Sequence, residues 1–293
     1  MSGFDHQRAF ARNIGFLTTA EQARLRGARV AIAGLGGVGG SHLLALVRMG
    51  VSAFSLAEMD RFELSNFNRQ AGAACSTVGR PKLDVLAAAA RDINPELDLR
   101  LFPAGVDAGT VDRFLDDANL YLDGLDFFAF GARRAVFACC RRRGIPAVTA
   151  GPLGLGTALM TFLPSGPGFI EHMCWDEVQD EIGMAARFLV GLAPRALHLG
   201  ALVDPSRFDL SSHSAPSSVA GISLCSGVAA AEALKILSGR GRLRPAPWSL
   251  QFDAYSGRSA WCWRPGGNRN PLNRVLVAMA ERALRRRQAR RAA

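Results

Sequence analysis

The sequence predicts an α/β fold: a doubly wound, mostly parallel sheet with helices on both faces and an elaborated C-terminal half. Three observations point there. Short apolar strands alternate with amphipathic helical stretches from about residue 30 to residue 149, the rhythm of a sheet wound by crossover helices. The first strand runs straight into glycines and then into a helix. The chain has 293 residues, 49% hydrophobic and 20% charged, which is enough apolar material for a large core and excludes disorder as the dominant state.

Taken in order, residues 1–28 read as a helical preamble, with Thr19 as a cap ahead of Glu21, Gln22, Ala23 and Leu25. Val30 to Ala33 is the first strand. Ser41 to Met49 follows as a helix with the apolar face Leu43, Leu44 and Val47, stopped by Gly50. Ala53 to Ala57 is the second strand, and Pro81 to Ile93 is a helix opened by proline and closed before Asn94-Pro95. Leu97 to Phe102 and Leu120 to Leu122 supply the third and fourth strands, Ala132 to Arg143 a helix, and Ala147 to Thr149 the fifth strand. After Gly151 the rhythm changes. Thr157 to Leu163 is apolar and ends in Pro164-Ser165-Gly166-Pro167-Gly168, a turn signal, and 169–218 reads as long loops and short helices interrupted by Pro194, Pro205 and Pro216. An alanine-rich helix over Ile222 to Leu237 is capped by Gly239, a strand lies around Trp248 to Phe252, and a last helix begins at Pro271. The organisation is therefore a preamble (1–28), a single domain (29–270) made of an alternating strand–helix core (29–165) and an elaborated second half (166–270), and a C-terminal helix with a basic tail (271–293).

The formal charge is +10, but Arg282, Arg285, Arg286, Arg287, Arg290 and Arg291 crowd the last dozen residues, so the body is only mildly basic. A solvated helix end is the favoured reading of that tail over nucleic-acid contact. The N-terminus lacks the pattern of a secretory signal, and no run of about 18 apolar residues suggests a membrane span. The six cysteines are scattered without a C-x-x-C pair, which fits a reducing cytoplasm and argues against a zinc site.

The chemistry concentrates near the first turn. Gly34, Gly36, Gly37 and Gly39 form G-x-G-G-x-G between a strand and a helix, where backbone N–H groups and a helix N-terminus can hold phosphates. Asp60, 21 residues beyond Gly39, is placed to accept hydrogen bonds from a ribose. Asn66, Arg69 and Gln70, then Lys82, bring an amide, a guanidinium and an ammonium to the same side of the sheet. Such cations suit the β- and γ-phosphates of ATP during in-line attack on its α-phosphate; a nicotinamide dinucleotide has no use for them.

With Arg12 ahead of the core and an aspartate at a later strand end, this set resembles the ThiF/MoeB adenylyltransferases, relatives of the ubiquitin-activating enzymes. The resemblance spans residues 8–165 and returns at 222–239. It implies use of ATP and magnesium to adenylate the C-terminal carboxylate of a small ubiquitin-like protein or peptide, by a homodimer. It implies that Asp60 binds ribose, that Asn66, Arg69 and Lys82 bind phosphates, and that Arg12 reaches into the partner subunit's site. The implied magnesium ligand is Asp126, with Asp123 second; Phe127-Phe128 stand where relatives carry asparagine after the acid. The paired C-x-x-C zinc ligands of many relatives are absent, so no zinc is expected. Some relatives pass the acyl group to a cysteine, for which Cys174 beside His172 is a candidate, although a half-buried inert thiol is favoured. His42 opens the phosphate-site helix and could touch ligand. Two other functions stay open: ATP-dependent cyclising dehydration of a modified tRNA base, and a nucleotide-binding scaffold without turnover.

Overall fold

The computed structural model describes residues 3–204, 207–209 and 212–292, together with the side chains of 3–204, 207–209 and 212–289; Pro205 and the side chains of Arg290 and Arg291 lie outside it. Eight strands form one sheet: β1 (Arg29–Ala33), β2 (Ala53–Ala57), β3 (Asp98–Phe102), β4 (Leu120–Asp123), β5 (Ala147–Leu153), β6 (Gly156–Phe162), β7 (Trp248–Asp253) and β8 (Arg258–Trp263). Their spatial order is β3-β2-β1-β4-β5-β6-β7-β8. The first five are parallel and the last three antiparallel. The switch has a local cause: Gly154 (φ +61°) and Leu155 alone join β5 to β6, and so short a link permits only an antiparallel return.

Alternation along the strands sorts two cores. Val30, Ile32, Phe54, Leu56, Leu120 and Leu122 face α2 (Thr19–Gly27), α3 (Gly37–Arg48), α4 (Lys82–Ile93) and α9 (Val219–Ser238). Ala31, Ala33, Tyr121, Met160 and Phe162 face α5 (Val111–Phe114), α6 (Phe130–Arg143), α7 (Phe169–Met173), α8 (Glu181–Leu192) and α10 (Pro271–Ala292). The helices thus cover both faces, as the strand–helix rhythm predicts.

α9 is long and apolar enough to cross a membrane by composition alone, but it is a core helix here. Its Glu232 is buried against β6, accepting from the Thr161 hydroxyl at 2.7 Å and from Lys235 at 2.6 Å. The preamble begins with α1 (His6–Ala9). It is fixed to the C-terminal end of α3: His6 Nε2 lies 3.1 Å from the Gly50 carbonyl, Gln22 donates to Met49 O and Asn13 to Arg48 O.

Several boundaries differ from expectation. The cap of α2 is Thr18, not Thr19: its hydroxyl accepts from the Glu21 N–H while Glu21 accepts from the Thr18 N–H, a reciprocal pair one residue earlier than the spacing suggests. α3 begins at Gly37 rather than Ser41, because the glycines themselves form its first turn. The segment after Phe169 contains the full three-turn helix α8, capped by Asp180, and β8 follows β7 as a hairpin.

Candidate active site

The turn between β1 and α3 is glycine for steric reasons at two positions. Gly34 takes φ +80°, and a Cβ there would sit 2.3 Å from the Gly124 carbonyl oxygen; a Cβ on Gly39 would sit 1.8 Å from the Gly34 oxygen. The first turn thus packs directly on the turn after β4. Gly36 caps α3, whose first-turn N–H groups lack intrahelical acceptors. A second helix start abuts the same loop. Ile222, in the first turn of α9, lies 2.8 Å from where a Gly37 Cβ would be. The α3 start thus lies in the turn itself, with the first turn of α9 packed on it, and an uncompensated helix start suits a phosphate.

Around this turn stand the expected side chains. Lys82 opens α4, is buried, and pairs with Asp60 at 3.1 Å; Asp60 itself is largely exposed. The strand ends at Ala57, so the acid at its tip is Glu58. Glu58 Oε2 accepts from the Leu35 N–H at 2.7 Å, inside the glycine turn, and Oε1 accepts from the Met59 and Asp60 N–H groups at 2.9 Å. Sequence reasoning missed Glu58, although its place directly after the second apolar run was the available signal. Gln70 is buried, with its amide nitrogen 3.7 Å from where a Gly36 Cβ would be and its Oε1 without a partner among the described residues. Arg69 donates to Ser65 O and Asn68 Oδ1, both at 2.9 Å, and makes no ion pair among the described residues. The Asn66 amide oxygen accepts from the Glu63 N–H at 3.0 Å, so this side chain holds the turn that carries Arg69.

Asp123 and Asp126 are sharply different. Asp123 is buried and accepts from Arg133 Nε (2.8 Å), Thr149 Oγ1 (2.9 Å) and the Tyr121 hydroxyl (3.2 Å). Burial beside this carboxylate pushes the Tyr121 phenol well up. Asp126 is exposed, and only its Oδ1 is engaged, by the Phe128 N–H at 3.0 Å. Arg133, which sequence reasoning also missed, donates to the carbonyls of Leu125, Asp126 and Phe127 and so holds the loop that presents Asp126. Phe127 is not idle. It packs against Phe128, Phe130, Phe188 and Phe208, tying the loop to α8.

Three candidates lie elsewhere. His42 is buried rather than open to a ligand; desolvation pushes its pKa down to about 4, and its Nδ1 has no partner. Cys174 is buried at the end of α7, where burial raises its thiol pKa, the opposite of what activation by His172 requires; His172 is itself pushed down to about 4 by burial. Arg12 is exposed beside Asn13, which bonds the last turn of α3, whereas the glycine turn lies at that helix's start. Twelve helical residues separate the two ends, about 18 Å.

The residues present fit a nucleotide with one hard cation: a glycine cradle at the α3 start, a buried lysine, an unpartnered amide oxygen, and an exposed carboxylate able to share a metal with phosphate oxygens. The tRNA threonylcarbamoyladenosine dehydratase of Bacillus subtilis is 32% identical over 142 residues, 48% of this chain and 55% of that protein. The SAMP-activating enzyme E1 of Haloferax volcanii is 31% identical over 146 residues, 50% of this chain and 53% of that one. The chain thus matches about half the length of these curated relatives. Among solved structures, PaaA superposes with a TM-score of 0.66 at 20% identity, covering 89% of this chain and 76% of its own, a likeness of fold. The ThiF family model matches residues 10–273, and the chain belongs to the ThiF family.

Proposed function

We propose that this protein is an ATP-dependent adenylyltransferase that activates a carboxylate, that of the C-terminus of a small ubiquitin-like protein or peptide, as an acyl-adenylate. The observation that carries the reading is that the glycine turn with the α3 start, the first turn of α9 packed on it, Lys82 and the presented Asp126 gather at the C-terminal ends of β1, β2 and β4. In this reading the α3 start, Lys82 and Arg69 hold the triphosphate, and Asp60 or Glu58 holds the ribose. Gln70 donates toward phosphate, and Asp126 holds magnesium, which supplies charge neutralisation on the leaving pyrophosphate. An ionised carboxylate attacks the α-phosphorus without needing a base, so the protein's contribution is positioning and electrostatic stabilisation.

The working unit in this reading is a homodimer. Arg12 is far from its own glycine turn and unpaired among the described residues, so it serves the partner subunit's site. A second reading, activation of a carboxamide or carbamoyl group on a modified tRNA base followed by ring closure, is favoured by one observation, the similarity to a protein named as a tRNA threonylcarbamoyladenosine dehydratase. ATP–pyrophosphate exchange tests the main reading: exchange that depends on magnesium and on a peptide or ubiquitin-like acceptor is expected. Saturable NADH binding without ATP binding would overturn it, and exchange that appears only with tRNA would select the second reading.

A further inference from the structure

At the sheet edge away from this site, three of the chain's four tryptophans share one face. Register sets Trp248 opposite Trp263 and Leu250 opposite Trp261, so all four side chains leave the β7–β8 hairpin on the α9 side. The Trp248 and Trp263 rings are 6.3 Å apart, and the Arg244 guanidinium lies 4.7 Å from the Trp261 centroid and 5.4 Å from that of Trp248. Trp261 and Trp263 keep 40% and 55% of their surface exposed, and β8 is the last strand. The surroundings are one-signed. Ahead of β7 the chain carries Arg240, Arg242 and Arg244, and the one acid of 239–270, Asp253, is buried and points to the other face together with its register partner Arg258. Arg240 pairs with Glu21; Arg242 and Arg244 make no ion pair among the described residues.

Flat rings interleaved with unpaired arginines fit a ligand that offers both flat rings and regularly spaced negative charge. We propose that the β7–β8 hairpin is a platform for single-stranded nucleic acid, with unpaired bases stacking on Trp261 and Trp263 and phosphates against the arginines. A duplex hides its base faces and fits less well. The proposal concerns binding alone and stands apart from the adenylation reading.

The test uses the full chain without ATP. A labelled single-stranded RNA of about 12 nucleotides is titrated at about 50 mM salt, following tryptophan emission and anisotropy. Binding is expected to quench emission, to exceed that of a duplex of equal length, and to weaken with salt. It should weaken at least about tenfold in Trp261→Ala/Trp263→Ala. The single, more exposed Trp263→Ala guards against a fold effect in the double variant and is expected to lose part of the affinity. Absence of binding, or binding that neither variant changes, overturns the proposal. So does a dimer that the double variant converts to monomer, which would show that a second copy covers this face. Pyrophosphate exchange is scored separately on the same preparations, so failure of either reading is distinguishable from failure of the other.

Discussion

Asp123 and Asp126 lie three residues apart and answer to different forces. Removing the Asp123 carboxylate strands the Arg133 guanidinium in the interior, where an unpaired charge costs about 3–5 kcal/mol, whereas Asp126 loses one exposed hydrogen bond worth about 1 kcal/mol or less. Asp123→Ala is therefore expected to shift the urea unfolding midpoint strongly. Asp126→Ala should leave that midpoint nearly in place and abolish pyrophosphate exchange; the reverse pattern would exchange their roles. The buried imidazoles predict acid sensitivity. His42 and His172 titrate near 4 when folded and near 6.5 when unfolded, so above 6.5 neither state gains a proton on them. As pH falls from 6.5 toward 4 the unfolded chain binds protons first, and stability is lost over that window. Urea midpoints between those limits should decline, and His42→Gln should flatten part of the decline. Residue identities at the site were legible because Gly34, Gly39 and Lys82 belong to a fixed spacing. The division of labour between Glu58 and Asp60 was not, since it turns on where β2 ends, and two acids two residues apart look alike in one dimension.

Elements with clean punctuation were readable. The glycine turn, the proline ahead of α4 and Gly239 after α9 each mark a boundary by a backbone requirement, and Gly239 takes φ +71° as such a cap does. α8 escaped notice because Ile182, Ala185, Phe188 and Leu192 share its sequence with Gly183 and Gly191, which leave room for Val178 and Met173 and which an isolated reading penalises. β8 escaped because its tryptophans alternate outward, the opposite of a core strand. The α3 turn gives the sharpest prediction at this scale. Gly39→Ala forces a methyl into the Gly34 carbonyl and should unfold the turn, seen as a lower melting temperature together with lost ATP affinity. Gly36→Ala meets nothing closer than the Gln70 amide at 3.7 Å, so its melting temperature should stay close to the parent's while ATP binding weakens. Equal losses of stability in both would contradict this account.

For the whole molecule, the preamble's attachment to the far end of α3 sets the expected behaviour of mixed subunits. Arg12→Ala and Lys82→Ala proteins, each inactive alone, should regain activity when mixed, because one mixed site combines an intact Arg12 with an intact Lys82; no recovery despite demonstrated subunit exchange, or a monomer by light scattering, would refute the trans arrangement. The parallel winding was legible through β5, where α3, α4 and α6 announce themselves although the short α5 between β3 and β4 does not, but the pairing was not legible beyond, since β6 and β7 pair across a long segment whose path no local signal encodes. That change of strand polarity bears on how the chain reaches its native state. The β5–β6 ladder pairs seven residues on each side around a two-residue turn, while Val30 and Leu120 meet at a sequence separation of 90 and Leu159 and Leu250 at 91. Short-range hairpins close before long loops do, so this ladder is the natural nucleus, and it straddles both halves of the sheet. Stopped-flow kinetics should show Val148→Ala, inside the ladder, slowing refolding, and Val30→Ala, at the distant seam, chiefly hastening unfolding. A chain emerging from the ribosome would then hold its hairpin ready while the last two strands, which complete the platform edge, are still unmade.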